Sequence, residues 1–168
     1  MLVSKNLKQW LRKFHPQHHW SIRPTGDVAD LFQCLTMVWE CNADSAVELL
    51  SQYLPLQIDT SNADAMASAL RVYNGKPLIN SVNGKKESME EIFPLAAKYG
   101  GVVIALTLDE SGIPETAEGR IKIAKKIIEI AKEYGIDKKD IVIDVLAMTI
   151  SSEKNGAKIA LEALKKVR

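Results

Sequence analysis

The sequence predicts an α/β protein built on a parallel sheet, for three reasons. From residue 55 onward, a short β-rich run, a polar turn and a helical stretch follow one another four times. The predicted strand 102–107 is apolar up to its last residue, Thr107, as expected of a parallel strand that is buried on both faces. The stretch 115–134 carries apolar side chains at the 3.6-residue period of an amphipathic helix. Four such units fit either a doubly wound sheet or half of an eight-stranded barrel, and periodicity does not separate the two.

The individual elements follow from the spacing of apolar runs and turn residues. Asn62 is expected to cap the first helix, and Gly75 to stop it. Pro94 falls inside the second helix, where its missing N–H predicts a kink or a break. Strands are predicted at residues 56–59, 77–80, 102–107 and 141–144. Helices are predicted at residues 63–73, 86–99, 115–134 and 153–167.

The composition excludes several classes of partner. The chain has 168 residues, with 22 Lys and Arg against 21 Asp and Glu, so its net charge of +1 predicts no nucleic-acid or anionic-membrane partner. No apolar run approaches the ~18 to 20 residues that would cross a bilayer. The first 14 residues lack the apolar core and cleavage site of a secretory signal. We therefore expect a cytoplasmic protein.

The rare residue types divide the chain in two. All three Trp, all three His and both Cys lie within the first 41 positions, and the later part is rich in Lys, Glu, Ile and Ala. We predict a boundary between a mainly helical segment of unknown origin, residues 1–54, and an α/β domain, residues 55–168. An alternative places a strand at residues 35–39 and the helix of another βα unit at residues 43–53.

The cluster of His15, His18 and His19 resembles part of a zinc site only superficially. A zinc site needs three or four ligands in a closed geometry. Cys34 and Cys41 could add ligands, but they do not form a paired Cys-x-x-Cys motif. The pattern favours surface histidines in a turn, and no metal site is predicted.

Polar side chains are predicted where the four strands end, at Asp59, Asn80, Thr107 and Asp144. In both architectures, functional groups lie at the carboxyl ends of the strands. A carboxylate accepts two parallel hydrogen bonds, and a carboxamide both donates and accepts. This set suits a heterocycle with an amidine-like edge. The alternative is that each residue only caps its loop, since Asp and Asn favour turns.

Several separated motifs in residues 55–168 resemble the pterin-binding family. They are LQIDTSN at 56–62, LINSVNG at 78–84, VIALTLDESGIP at 103–114 and Ile143-Asp144. The resemblance is strongest to the methyltetrahydrofolate-binding methyltransferase domain of cobalamin-dependent methionine synthase and of the methyltransferases that act on corrinoid/iron–sulfur proteins. It implies that these units are the third to sixth of a (βα)8 TIM barrel.

The resemblance also implies a ligand and a partner. Asp59, Asn80 and Asp144 would bind the pterin ring, with Asp144 at its amino-pyrimidine edge. Methyltetrahydrofolate would be the substrate, and a corrinoid (cobalamin) carried by a partner domain or protein would accept the methyl group. The implied setting is one-carbon metabolism and methionine biosynthesis.

Three motifs of that family are absent from the chain. The Gly-Glu-Arg-Ile-Asn and Asp-Val-Asn-Val-Gly strands that open the family's barrel do not occur, nor does its later Gly-x-Ser-Asn motif. The resemblance therefore implies a partial (βα)8 barrel in which methyl transfer is incomplete. The alternatives are a dihydropteroate-synthase-like enzyme and a non-catalytic half-barrel that only folds or oligomerises. Because two copies would supply eight strands, a homodimer is a further prediction.

Overall fold

A computed structural model describes residues 47–48, 51, 56–147 and 155–167, and the statements below concern those residues. Four strands alternate with four helices, as the sequence predicts. The strands are β1 (Gln57–Asp59), β2 (Leu78–Asn83), β3 (Val102–Leu106) and β4 (Ile141–Asp144). The helices are α1 (Ala63–Val72), α2 (Lys86–Tyr99), α3 (Ala117–Glu133) and α4 (Gly156–Val167), with a 3-10 turn at Lys138–Asp140.

The order of the strands resolves the choice between the two predicted architectures. The sheet runs β1-β2-β3-β4, and every neighbouring pair is parallel. A doubly wound sheet reverses its strand order at a switch point, whereas a barrel adds each strand beside the previous one. The described sheet therefore matches four consecutive units of a partial (βα)8 barrel.

The main core lies between the sheet and the helices. One face of the sheet contributes a row of paired residues, Ile58, Ile79 and Val103, each at most 7% exposed. Phe93 and Met89 of α2 pack in the same cluster, as does Ile127 of α3. A smaller cluster joins β4 to the last two helices and contains Ala117, Val145, Ala160 and Ala163. Among the described residues, the four helices therefore cover one face of the sheet and not the other.

Two strand ends differ from the prediction. Strand β2 continues to Asn83, so Asn80 lies within the strand and not at its end. The pairing of β2 with β3 shifts by one residue between Asn80 and Val82, where the Asn80–Ser81 peptide bond is cis. Strand β3 ends at Leu106, one residue before Thr107. The prediction stopped β2 early because its polar residues Asn80 and Ser81 look like a turn.

The ends of the helices follow local chemistry. Asn62 is confirmed as the cap of α1, since its Oδ1 accepts a hydrogen bond from the Ala65 N–H at 2.9 Å. Gly100 ends α2 with φ +70°, a left-handed conformation that glycine adopts without steric cost. Helix α2 runs through Pro94 without a break. Of the two predicted effects of this proline, a kink or a break, the break is therefore wrong. Four buried side chains on the opposite side of Pro94 anchor both halves of the helix to the core: Met89, Ile92, Phe93 and Ala96.

A few residues before the predicted boundary are described, and they contact the α/β part. Val47, Glu48 and Ser51 are helical, and Val47 is fully buried in the main core. The Ser51 Oγ accepts a hydrogen bond from the N–H of Asn74 at 3.0 Å. Most of the predicted helical segment 1–54 lies outside the described residues, including the histidines, the cysteines and the tryptophans.

Within the described ranges, no helix is both long and apolar enough to cross a membrane. This agrees with the absence of a long apolar run in the sequence.

An ion pair between α3 and α4 should make stability depend on pH. Lys166 donates a hydrogen bond to Glu118, which holds the pKa of that carboxyl below 4.5, and the pKa of Lys166 is raised above 10.5 by Glu118 and then Glu162. The contribution of Glu118 is therefore complete above about pH 4.5 and is lost as the pH falls through its lowered pKa. We expect Glu118→Gln to lower the thermal midpoint at pH 7.

That difference should shrink as the pH falls below about 4.5 and reach zero below the lowered pKa of Glu118, because the wild-type carboxyl is then protonated as well. Glu133→Gln, at the exposed far end of α3, is the matched control. Thermal melts from pH 3 to 7 measure the effect, and an undiminished gap at pH 3 would contradict this assignment.

Candidate functional site

Asp59 and Asn80 lie side by side on the face of the sheet that the helices leave uncovered. The two residues are paired across β1 and β2, and Asn80 is paired in turn with Ile104 of β3. Paired residues on parallel strands point to the same face, and neighbouring strands lie about 4.8 Å apart. Asp59 is exposed and Asn80 is half-buried. The pairing thus brings together two of the polar residues that the sequence predicted at the strand ends.

Asp144 lies on the same face, one layer closer to the carboxyl ends of the strands. It is paired with Leu106, two residues beyond Ile104 on β3. Because side chains alternate along a strand, Ile104, Leu106 and Asp144 share this face. Asn83 is also paired with Leu106, so a row of Asn83, Leu106 and Asp144 forms the rim. Sequence reasoning did not assign Asn83 to the site.

The carboxylate of Asp144 is oriented by the chain that follows it. Its Oδ1 accepts a hydrogen bond from the N–H of Leu146 at 2.8 Å. Leu146 has φ +59°, a left-handed conformation that costs a side-chain-bearing residue about 1–2 kcal/mol. Such conformations persist where the surrounding contacts determine them, often at functional sites.

Thr107, which the sequence placed among the rim residues, serves a different purpose. It is fully buried, and both its N–H and its hydroxyl donate to the carbonyl oxygen of Asp144 at 3.1 Å. The side chain therefore fastens the end of β4 to β3. It is not presented to a ligand on the open face.

Arg120 was not predicted from the sequence, although it contacts both neighbouring rim loops. Its side chain is buried near the start of α3, with 1% of its surface exposed. The Nε donates to the carbonyl of Pro114 at 3.0 Å, and Nη1 donates to those of Val145 and Leu146 at 2.8 Å each. A cation near a helix N-terminus opposes the helix dipole, and this was the signal available in the sequence.

The loops after β2 and β3 are also joined. The N–H of Gly84 donates to the carbonyl of Leu108 at 2.7 Å, and Lys126 Nζ donates to the carbonyl of Gly84 at 2.7 Å. The carboxylate of Glu110 accepts from the N–H of Lys86 at 3.1 Å. Hydrogen bonds from its own N–H and then from Lys86 lower the pKa of Glu110, so the carboxylate form is favoured.

Gly84→Ala should destabilise the chain by about 1–3 kcal/mol, the usual cost of overpacking. A Cβ at Gly84 would lie 2.7 Å from Ile123 Cγ2 and 2.9 Å from the Leu108 carbonyl oxygen. The loop cannot retreat without losing its hydrogen bond to Leu108. Urea unfolding measures the loss.

Gly135→Ala is the control for that variant, because a Cβ there meets nothing within 4 Å and only the left-handed φ of +77° opposes it. We expect Gly84→Ala, but not Gly135→Ala, to weaken any ligand binding at the rim as well. Unchanged stability of Gly84→Ala would show that the two loops separate easily.

The arrangement suits a flat ligand better than a metal ion. From Asn80 on β2 to Asp144 on β4 the separation is about 10 Å across the sheet. Metal ligands must all lie within roughly 2.0–2.6 Å of one point. Accordingly, the described residues contain no group of three or more His, Cys, Asp or Glu that could hold a metal ion. The apolar side chains of Ile104 and Leu106 lie between the polar groups and provide a floor for a ring.

Comparison with known proteins identifies the family. The model of the pterin binding enzyme family matches residues 43–168, which are 126 of the 168 residues. The chain belongs to the pterin-binding enzyme family. The resemblance predicted from the sequence motifs is thereby confirmed, and the family match begins 12 residues before the predicted boundary at residue 55.

Among the family's curated members, the chain is similar to methionine synthases and to a corrinoid methyltransferase. It is 31% identical over 122 residues to methionine synthase of Mycobacterium leprae, covering 68% of this chain and 10% of that protein. It is 30% identical over 125 residues to methionine synthase of Mycobacterium tuberculosis, covering 70% and 10%. It is 30% identical over 104 residues to methylcorrinoid:tetrahydrofolate methyltransferase of Eubacterium limosum, covering 61% and 38%. The chain thus spans about a tenth of the length of these methionine synthases.

Proposed function

We propose that this chain binds the pterin ring of methyltetrahydrofolate on the open face of its sheet. The observation that carries the proposal is the common orientation of Asp59, Asn80 and Asp144 in a chain of the pterin-binding family. The ring would lie over Ile104 and Leu106, with polar groups on both sides of it. Burial of one flat face on these side chains supplies a hydrophobic contribution that the polar contacts then orient.

Each polar residue has a distinct role in this proposal. Asp144 faces the amino-pyrimidine edge, because one carboxylate can accept from two adjacent N–H donors. Its Oδ1 already accepts from Leu146, so the ligand would share that oxygen and take the other one. Asp59 and Asn80 bind heteroatoms at the opposite side of the ring, where Asn80 can donate as well as accept.

The bound folate would serve methyl transfer to or from a corrinoid. Curated relatives are named methionine synthase and methylcorrinoid:tetrahydrofolate methyltransferase, which favours this reaction over a dihydropteroate-synthase-like condensation. The corrinoid, carried by a partner domain or protein, would supply the cobalt that exchanges the methyl group. The residues described here recognise the pterin, and none of them is assigned to cobalt.

Calorimetric titration of methyltetrahydrofolate into the 168-residue chain tests the proposal. We expect saturable binding that is weakened in Asp59→Asn and Asp144→Asn. Asp64→Asn, which changes an exposed carboxylate in the first turn of α1, is the matched control. Absence of binding by the wild type would contradict the proposed recognition, and binding without methyl transfer to an added reduced corrinoid, which is unmethylated and can accept the methyl group, would contradict catalysis by the isolated chain.

The limits of the α/β domain and its association into a homodimer are also proposals. The burial of Val47, the contact of Ser51 with Asn74 and the family match from residue 43 support the alternative in which residues 43–53 form a helix of another βα unit. The boundary between residues 54 and 55 stays a prediction, as does the homodimer.

Light scattering during the titration tests the homodimer. The open face carries Val142 at 49% exposure, and covering it would be favourable. We expect a mass of twice 18.6 kDa, and a mass of 18.6 kDa at high concentration would contradict the prediction.

A further inference from the structure

The loop that follows Asp144 is held from two sides. On one side, the Asp144 carboxylate accepts from the N–H of Leu146. On the other, the Arg120 guanidinium donates to the carbonyls of Val145 and Leu146. Leu146 is therefore fixed at both its N–H and its carbonyl, in a left-handed conformation that it would not adopt by preference.

We propose that Arg120 is a positioning residue that sets the carboxylate of Asp144 for the pterin, acting through Leu146. The inference rests on the proposed function, in which Asp144 binds the amino-pyrimidine edge. Arg120 also binds the carbonyl of Pro114, in the loop between β3 and α3. One planar cation thus ties the two rim loops beside Asp144 to the start of α3.

A guanidinium can hold the carbonyls of both rim loops at once, and an ammonium is less suited to do so. Its donors form a rigid planar fork, so three carbonyls in two loops can be bound at fixed angles. A lysine keeps the charge but presents a compact point donor on a flexible stem. If the only requirement were to fill the space, an apolar side chain of similar volume would avoid the cost of burying a charge. The contacts to Val145 and Leu146 identify orientation of the rim as the additional role.

A double-mutant cycle separates positioning from a purely structural role. Methyltetrahydrofolate binding is measured for the wild type, Arg120→Lys, Asp144→Asn and the double variant. We expect Arg120→Lys to weaken binding about 10- to 100-fold, the range seen when residues that orient metal ligands are replaced. In the Asp144→Asn background, Arg120→Lys should lower the affinity for methyltetrahydrofolate by less than about threefold. The reason is that the effects of substituting two residues are not additive when one residue acts through the other.

Amide hydrogen exchange provides a measurement that needs no ligand. In Arg120→Lys, exchange of the Leu146 N–H should accelerate about tenfold or more, since local opening is governed by local contacts. The N–H of Ile127, in the buried part of α3, should keep its rate. Arg71→Lys, in the exposed last turn of α1, is the control for an arginine replaced elsewhere. Arg120→Gln is the second variant if Arg120→Lys does not fold, because its amide donates to a carbonyl without a buried charge.

The outcomes distinguish this inference from the proposed function. Equal losses of affinity in both backgrounds, or wild-type affinity in Arg120→Lys, would overturn the positioning role while leaving pterin binding intact. Absence of binding by the wild type would overturn the proposed function, and Leu146 exchange would then decide whether Arg120 orients Asp144. An unchanged exchange rate of the Leu146 N–H in Arg120→Lys would overturn the positioning role of Arg120 as well.

Discussion

Asp144→Asn should lower the affinity for methyltetrahydrofolate by about 30- to 1000-fold, or roughly 2–4 kcal/mol. The variant keeps the Oδ1 that accepts from Leu146 at 2.8 Å, so the rim loop should stay in place. It replaces the other oxygen with an NH₂ donor, which would face a donor of the amino-pyrimidine edge. The loss then comes from buried polar groups left without partners, together with the loss of charge-assisted hydrogen bonds.

Calorimetric titrations of wild type, Asp144→Asn and Asn80→Ala measure this effect. Asn80→Ala should cost less, because it removes only neutral hydrogen bonds. Thermal melts should show that Asp144→Asn is folded, since Asp144 is exposed at the rim. Equal affinities of wild type and Asp144→Asn would remove this residue from the site.

Phe93→Ala should lower the free energy of unfolding by about 3–5 kcal/mol, the usual cost of removing a buried aromatic side chain. Phe93 is fully buried in the core beneath the sheet, and its ring centroid lies 5.6 Å from that of Tyr134. It sits next to Pro94, so its packing also helps to keep α2 continuous. Urea unfolding measures the loss.

Leu161→Ala is the control for the core variant, because Leu161 is 68% exposed on α4. We expect a change within about 0.5 kcal/mol for that substitution, as for most surface positions. A comparable loss in both variants would mean that Leu161 is covered by another part of the protein or by a second molecule.

The sequence predicted the strands well where their limits depend on local chemistry. The fourth strand was predicted to the residue, because polar or charged residues flank its apolar run 141–143 on both sides. The cap at Asn62 was also predicted, since a side-chain cap acts within three residues of its own position. The common orientation of Asp59 and Asn80 follows from their pairing across two parallel strands, although Asn80 lies within β2 and not at its predicted end.

Other features depend on contacts between distant segments and carry no local pattern. Arg120 lies 25 residues from Val145 in the sequence, and only the packing of α3 beside β4 brings them together. The burial of Thr107 reflects its two hydrogen bonds to the carbonyl of Asp144, 37 residues away. Strand β2 continues past Asn80 because pairing with β3 resumes at Val82, which outweighs the weak strand preference of Asn and Ser.

The one-residue shift in β2 has a consequence for how this strand tolerates insertions and deletions. Without it, Val82 would share a face with Asn80, and Asn83 would point towards the helices. With it, Val82 is fully buried in the core and Asn83 reaches the rim beside Leu106. Deleting Ser81 would restore a regular strand and keep both faces, because Val82 would then follow Asn80 directly and stay paired with Ala105. Position 81 is thus the extra residue of a β-bulge, and we expect β2 to tolerate its deletion, whereas one residue added elsewhere in the strand would exchange the two faces.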